Sequence, residues 1–140
     1  MKKLIFIFVT LFLFSCGVTK PSVKNPLYEI LTQQNDGGAS IKFYENLTEV
    51  KEIKMLLNDE NLKGKITEKD LELSNFVILN MGEKETGKYK TEVEKIEETP
   101  TKIVIHIKEI TISKSLSPEF EFSNPYAILK INSKKEVIFE

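Results

Sequence analysis

The sequence predicts a small α+β domain that is mainly antiparallel, with five or more strands and one amphipathic helix. Short runs of apolar and β-branched residues recur along the chain, either alternating with polar residues or standing as continuous blocks, and both patterns are typical of strands. Turn-forming residues separate these runs. Only one segment carries apolar residues at helical spacing. Strands that follow one another closely around a single helix favour an antiparallel sheet.

Residues 75–93 are predicted to form a β-hairpin at the centre of the domain. Residues 76–79 are continuously apolar, so a strand there could be buried on both faces, and residues 89–93 alternate as in a half-buried strand. Gly82 and Gly87 bracket the connecting loop, where glycine can take a positive φ without a Cβ clash.

The remaining elements are predicted from the same signals. Residues 27–45 are expected to form a first hairpin around the Asn-Asp-Gly-Gly turn at 35–38. The helix is expected to open at Asn46, with Glu49 at the capping-box position, and Thr48 is an alternative cap. Residues 62–74 are predicted to be irregular or to hold one short helical turn. Later strands are predicted at 101–112, near Phe122, at 125–131 and at 137–139.

The length of 140 residues allows one domain behind a leader. All twenty basic residues are lysine, and none is the arginine best suited to bidentate phosphate recognition. Without Lys2 and Lys3, 18 lysines face 21 acidic residues, a balance of −3. This mildly acidic chain has no basic cluster, which argues against nucleic acid as a partner.

Residues 1–15 are predicted to be a lipoprotein signal peptide. Lys2 and Lys3 precede the apolar run 4–14, which is too short to span a bilayer. Residues 13–17, Leu-Phe-Ser-Cys-Gly, resemble a bacterial lipobox, whose cysteine is lipidated and becomes the first residue after cleavage. Cys16 is thus the expected lipid anchor. The alternative is an ordinary secretory signal in which Cys16 is incidental.

A lipidated Cys16 would attach the domain to a membrane, and residues 16–26 would be a flexible tether leading to a single domain at 27–140. No acidic cluster follows Cys16, which favours the periplasmic face of the outer membrane of a bacterial envelope.

No catalytic residue, metal site or cofactor is predicted. The one histidine, His106, lies on the polar face of a predicted strand and is expected to be solvated, although it would be the best candidate base of an enzyme. The paired carboxylates at 97–98 and at 119 and 121 are better explained by solubility. The turn at 35–38 lacks an EF-hand pattern, and loop 82–87 lacks the closing Lys-Ser/Thr of a phosphate loop.

Residues 75–132 resemble the C-terminal domain family of the protease-complex subunit PrcB. The family pattern is an apolar strand, a Gly-x-Lys-x-Thr-Gly-Gly-Tyr loop, a long hairpin and a terminal strand with Pro-Tyr. In this sequence Lys88 replaces the second glycine of the pair. The residues that match the pattern are Gly82, Lys84, Thr86, Gly87, Tyr89, Pro125, Tyr126, Leu129 and Ile131.

The resemblance implies a non-catalytic module that binds or stabilises an envelope protein, with a protease as the suspected partner. The structural positions of the motif would be Gly82, Gly87, Pro125 and Tyr126. The expected contact residues are Lys84, Thr86, Gly87, Lys88 and Tyr89. Two alternatives stay open. In the first, Thr86 and Tyr89 only support the hairpin and contact no partner. In the second, the protein is a protease inhibitor that presents loop 82–87 to an active site.

Overall fold

The computed structural model describes residues 26–85, 89–111 and 122–140. The predicted signal peptide, Cys16 and all of the predicted tether except Pro26 lie outside these ranges. Within them, neither helix has the length and apolar content needed to cross a bilayer.

The described ranges contain two short helices and nine strands, which are two to ten residues long. The helices are α1 (Val50–Leu56) and α2 (Glu68–Leu73). The strands are β1 (Tyr28–Gln34), β2 (Lys42–Leu47), β3 (Asn75–Met81), β4 (Lys84–Glu85), β5 (Tyr89–Glu98), β6 (Lys102–Thr111), β7 (Phe122–Ser123), β8 (Tyr126–Ile131) and β9 (Glu136–Phe139).

These elements form three layers. The middle layer is an antiparallel sheet in the order β1-β8-β3-β2. One of its faces packs on a core that includes residues of α1, and the other packs on a second sheet in the order β5-β6-β9. β6 pairs antiparallel with β5 and parallel with β9, and β4 pairs with β7 in a separate two-stranded ribbon. The prediction of a mainly antiparallel α+β domain is confirmed.

The continuously apolar β3 is buried on both faces, as predicted. Phe76 belongs to the core on the helix side, whereas Val77 and Leu79 belong to the core between the two sheets, and all three are 0% exposed. Ile103 and Ile105 of β6 close the second core from the opposite sheet. β3 therefore contributes side chains to both cores, and burial of each such side chain contributes about 1.5–3 kcal/mol.

The prediction of a hairpin over 75–93 is wrong. β3 lies between β2 and β8, and β5 lies in the other sheet, where it pairs with β6. After Gly82 the chain enters β4, whose partner is β7 rather than β3. The two strands were predicted correctly, but the chain crosses from one sheet to the other between them.

The predicted first hairpin over 27–45 is also wrong, because β8 and β3 lie between β1 and β2. β1 pairs with β8, in a register that places Tyr28 opposite Ile131 and Gln34 opposite Tyr126. The strands themselves lie where the alternation predicted them.

The helix prediction needs three corrections. α1 begins at Val50 rather than at Asn46, which belongs to β2. Glu49 occupies the N-cap position and makes no side-chain cap bond. The buried helix residues are Ile53 and Leu56, whereas Val50 is exposed.

A second helix, α2, of six residues lies in segment 62–74, so the alternative of a short helical turn there is the correct one. The Asp70 carboxylate accepts hydrogen bonds from the N–H and the hydroxyl of Thr67, which fixes the start of this helix.

Candidate partner-binding surface

Loops 35–41, 82–83 and 124–125 meet at one end of the middle sheet, which we call the loop end. Asn80, the second-last residue of β3, holds them in place. Its side chain accepts a hydrogen bond from the N–H of Ala39 at 2.9 Å and donates to the carbonyls of Ala39 and Ile41 at 2.8 and 2.6 Å. Asn80 is 1% exposed, so one buried amide satisfies three backbone groups of the loop that precedes β2.

Gly82 ends β3 with a positive φ of 70°, as predicted from its place in the motif. A Cβ atom at this position would lie 2.7 Å from the backbone nitrogen of Lys42 and 3.0 Å from the carbonyl oxygen of Ser40. The residue is buried, and the N–H of Glu83 donates to the carbonyl of Ser40. Glycine is therefore required both by the conformation and by the close approach of β2.

Pro125 and Tyr126 lie beside this turn. The carbonyl of Pro125 accepts a hydrogen bond from the N–H of Met81 at 3.0 Å, and Tyr126 pairs with Asn80 across the β3–β8 ladder. Burial, followed by the nearby charge of Asp59, raises the pKa of the Tyr126 phenol. The Gly and Pro-Tyr positions of the sequence motif thus form one structural unit at the loop end.

Residues 75–132 match the PrcB C-terminal family. The predicted resemblance is confirmed over this range. Neither a curated protein nor a solved structure matched the chain in the corresponding searches.

The segment that matches the PrcB C-terminal family contributes most of a charged and aromatic patch at the loop end. We use "the patch" for Lys42, Tyr44, Lys84, Tyr89 and Glu109. The Glu109 carboxylate contacts the ammonium of Lys42 and lies 3.4 Å from Nζ of Lys84. Each ammonium also approaches a tyrosine ring, at 5.3 Å from Lys42 to the ring centre of Tyr44 and at 5.1 Å from Lys84 to that of Tyr89.

The electrostatics of the patch centre on Glu109. The hydrogen bond from Lys42 lowers the pKa of Glu109, against the opposing effect of burial, and Lys84 adds attraction. The same hydrogen bond raises the pKa of Lys42. Both shifts favour the charged forms of Lys42 and Glu109 near neutral pH. Two ammonium groups against one carboxylate leave the patch with a net charge of +1.

Glutamine in place of Glu109 is expected to destabilise the protein slightly, in a pH-dependent way. The lowered pKa means that the carboxylate stabilises the fold above the ordinary value of 4.5, and that this contribution is lost as the pH falls through the lower value of the folded state. Because the pair is partly exposed, we expect the wild type to be more stable by less than about 1 kcal/mol near about pH 7.

Urea unfolding of both proteins across the acid range tests this expectation. The difference between them should shrink as the pH falls below 4.5 and close once the pH is below the lowered pKa of Glu109 in the folded state. A difference that stays constant with pH would contradict the assignment of Glu109 as the centre of the ion pair.

The structure brings together two of the predicted contact residues, Lys84 and Tyr89. The predicted contact residues Thr86, Gly87 and Lys88 lie outside the described part of the chain, as do Glu119 and Glu121. The sequence analysis missed Lys42, Tyr44 and Glu109. Alternation along β2 places the first two on one face, but nothing local shows that β6 brings Glu109 to them, 67 residues away from Lys42.

His106 lies on the polar face of β6, as predicted, and it is paired rather than free. Its Nε2 lies 3.1 Å from Glu97, and its Nδ1 lies 3.6 Å from Glu140. Glu97 also contacts Lys95, which with His106 lowers the pKa of the Glu97 carboxyl. Glu98 pairs with Lys135 at 2.8 Å. A lowered carboxyl pKa is the opposite of what a general acid needs near neutral pH. In the described ranges, no group of His, Cys, Asp and Glu side chains has the arrangement of a metal site.

Proposed function

We propose that this protein is a lipid-anchored, non-catalytic component of a bacterial cell envelope that binds a protein partner through the patch, and that the partner belongs to a protease complex. One observation carries the proposal. The patch lies at the opposite end of the middle sheet from the residues that join the domain to the predicted tether.

The geometry follows from the strand registers. Tyr28, Leu47, Asn75 and Ile131 share one end of the middle sheet, which we call the tether end, because the chain enters the domain there at Pro26. β3 has seven residues, so the loop end is about 20 Å away from the tether end. From Cys16 to Pro26 an extended tether has ten steps between successive Cα atoms and adds at most about 36 Å. An anchor at Cys16 would therefore direct the patch away from the membrane, toward proteins of the envelope space.

The composition of the patch suits a protein surface. Tyrosine rings supply rigid apolar area with a polar tip, and ammonium groups supply long-range attraction. Phe122, 61% exposed on the β4–β7 ribbon, adds an apolar contact near Lys84. The match to the PrcB C-terminal family supports a protease complex as the partner, since the subunit for which the family is named belongs to one.

The inhibitor alternative is less well supported. An inhibitory loop has to project into the active site of a protease. Gly82, the first residue of the proposed loop, is buried against the backbone of Lys42. Stabilisation of a partner does not need such a projecting loop.

Reversal of one charge in the patch tests the proposal. Lys84→Glu places a second carboxylate beside Glu109 and removes the cation over Tyr89, so we expect recovery of the crosslinked envelope partner to fall about tenfold or more. The full chain is crosslinked in cells, and the partner is identified and quantified. Lys63→Glu is the matched control, because Lys63 is 77% exposed and pairs only weakly with Glu60, at 3.8 Å.

Equal recovery of the partner with Lys84→Glu and Lys63→Glu would contradict the proposed surface. Cys16→Ser should release the protein from the membrane and lower partner recovery independently of the patch. Envelope proteolysis then separates the two modes of action. A stabilising subunit raises it when the protein is present, whereas an inhibitor lowers it.

A further inference from the structure

Among the strands that the structure describes, none pairs with the outer side of β2, which leaves a regular row of backbone groups there. β2 is the outer strand of the middle sheet on the side away from β1. The N–H groups of Asn75 and Met81 donate toward β8 and the segment around it. Because backbone groups alternate between the two sides of a strand, the even-numbered residues of β3 point to β2 and meet Phe43, Glu45 and Leu47. The backbone groups of Lys42, Tyr44 and Asn46 therefore point outward.

The other described sheet edges carry features that hinder strand addition. β1 has a bulge between Ile30 and Thr32, and the ammonium of Lys65 donates a hydrogen bond to the carbonyl of Leu31 at this bulge. β5 is bulged between Val93 and Lys95, and β9 has only four residues. β2 has a continuous register over six residues and contains no proline. Natural edge strands are usually protected by such features, so an unprotected one indicates a place for another strand.

An apolar groove of about 440 Å³ runs beside β2 on the helix side. Apolar side chains of β2, β3 and α1 form its walls, and Met55 is 63% exposed at its rim. Phe43, two strand positions from Glu45, faces the same side and is 37% exposed. The apolar residues that line the groove are Leu47, Met55, Leu56 and Ile78. Alternate side chains of an added strand would enter this groove.

The charges around the groove specify the occupant. Both charged residues that line it, Glu52 and Asp59, are acidic. Glu45 lies opposite Ile78 in the β2–β3 ladder and adds a third carboxylate on the same face.

We propose that β2 binds an extended segment of a partner protein as a fifth strand of the middle sheet, in which apolar residues and lysine or arginine share one face, at every second position. The apolar residues fill the groove, the main chain bonds to Lys42, Tyr44 and Asn46, and the basic residues pair with the three carboxylates. The site shares β2 with the patch, but it uses the outward backbone and the groove face, whereas the patch uses the side chains of Lys42 and Tyr44 on the opposite face. Failure of the peptide tests therefore leaves the Lys84→Glu test, and with it the proposed function, unaffected.

Two synthetic peptides probe the site on the purified full chain in detergent. The basic probe repeats Val-Thr-Lys-Thr, so that valine and lysine share one face, and the acidic probe has Glu in place of each Lys. We expect the basic probe to bind about tenfold or more tightly than the acidic one at low salt. Fluorescence anisotropy of labelled peptide measures the affinity, with detergent alone as the baseline.

A pair of variants at Tyr44 isolates the backbone contribution. Tyr44→Pro and Tyr44→Ala both lose the ring that packs 5.9 Å from Phe139, centre to centre, but only proline removes the outward N–H. We expect binding of the basic probe to weaken about tenfold further with Pro than with Ala. Thermal unfolding verifies that both variants fold.

If the proline variant does not fold, the double variant Glu45→Lys and Glu52→Lys tests the charges instead, and it should reverse the preference to the acidic probe. The proposal is overturned by equal affinity for the two probes, by unchanged preference in the double variant, or by equal binding to both foldable Tyr44 variants. A dimer of the chain that disappears with Tyr44→Pro would assign the edge to a second copy and would overturn it as well.

Discussion

Replacement of Asn80 with leucine is expected to lower the free energy of unfolding by about 3 kcal/mol, because three hydrogen bonds worth about 1 kcal/mol each are lost. The Asn80 side chain is 1% exposed, and it bonds to two backbone groups of Ala39 and one of Ile41. Leucine has nearly the same volume, so the loss comes from the polar groups rather than from a cavity. The loop that precedes β2 should then separate from β3.

Asn75→Leu is the matched control for this prediction. Asn75 begins the same strand and is 7% exposed, but its side chain makes one such bond, to the carbonyl of Lys135 at 2.7 Å. We expect a loss of about 1 kcal/mol there. Urea unfolding measures both free energies. Equal losses would show that Asn80 is not the residue that holds the loops of the loop end together.

Gly82→Ala is expected to cost about 3 kcal/mol, from positive-φ strain and from a clash that β2 has to relieve by moving. The clash is with backbone, since the new Cβ would lie 2.7 Å from the nitrogen of Lys42. A flexible side chain could rotate away, but this nitrogen moves only with its strand. The displacement should also weaken the contact of Lys42 with Glu109 in the patch.

Gly64→Ala separates the two causes. Gly64 has a similar positive φ of 77°, but nothing lies within 4 Å of the position of its Cβ. Only the conformational strain, about 1–2 kcal/mol, applies there. Thermal unfolding of the two variants should therefore show a clearly larger decrease for Gly82→Ala. Equal decreases would mean that β2 does not approach Gly82 as closely as described.

Local patterns predicted the strands well but not their partners. The continuous run at 76–79 predicted burial on both faces of β3, and the strand predicted at 101–112 corresponds to β6. Both predicted hairpins were wrong because pairing depends on contacts distant in sequence. β8 lies between β1 and β3, and nothing in residues 27–45 encodes that insertion.

The site was predictable to the extent that the family motif is local. Gly82 and Lys84 lie two positions apart in the chain. The motif therefore predicted both the structural glycine and the expected contact residue from one short segment. The ion pair of Lys42 with Glu109 joins two different sheets, so it depends on the packing of the whole domain. The choice between an irregular segment and a short helix at 62–74 had a local signal, because Thr67 and Asp70 have the spacing of a capping box.

The position of β8 also determines when the fold can form. Among the described strands, β1 pairs only with β8, and Tyr28 meets Ile131 near the other end of the chain. The first described strand therefore has no sheet partner until almost the whole chain is available, and such distant pairing slows folding. Until β8 is in place, Leu31 of β1, which is 1% exposed in the folded domain, lacks the sheet that buries it.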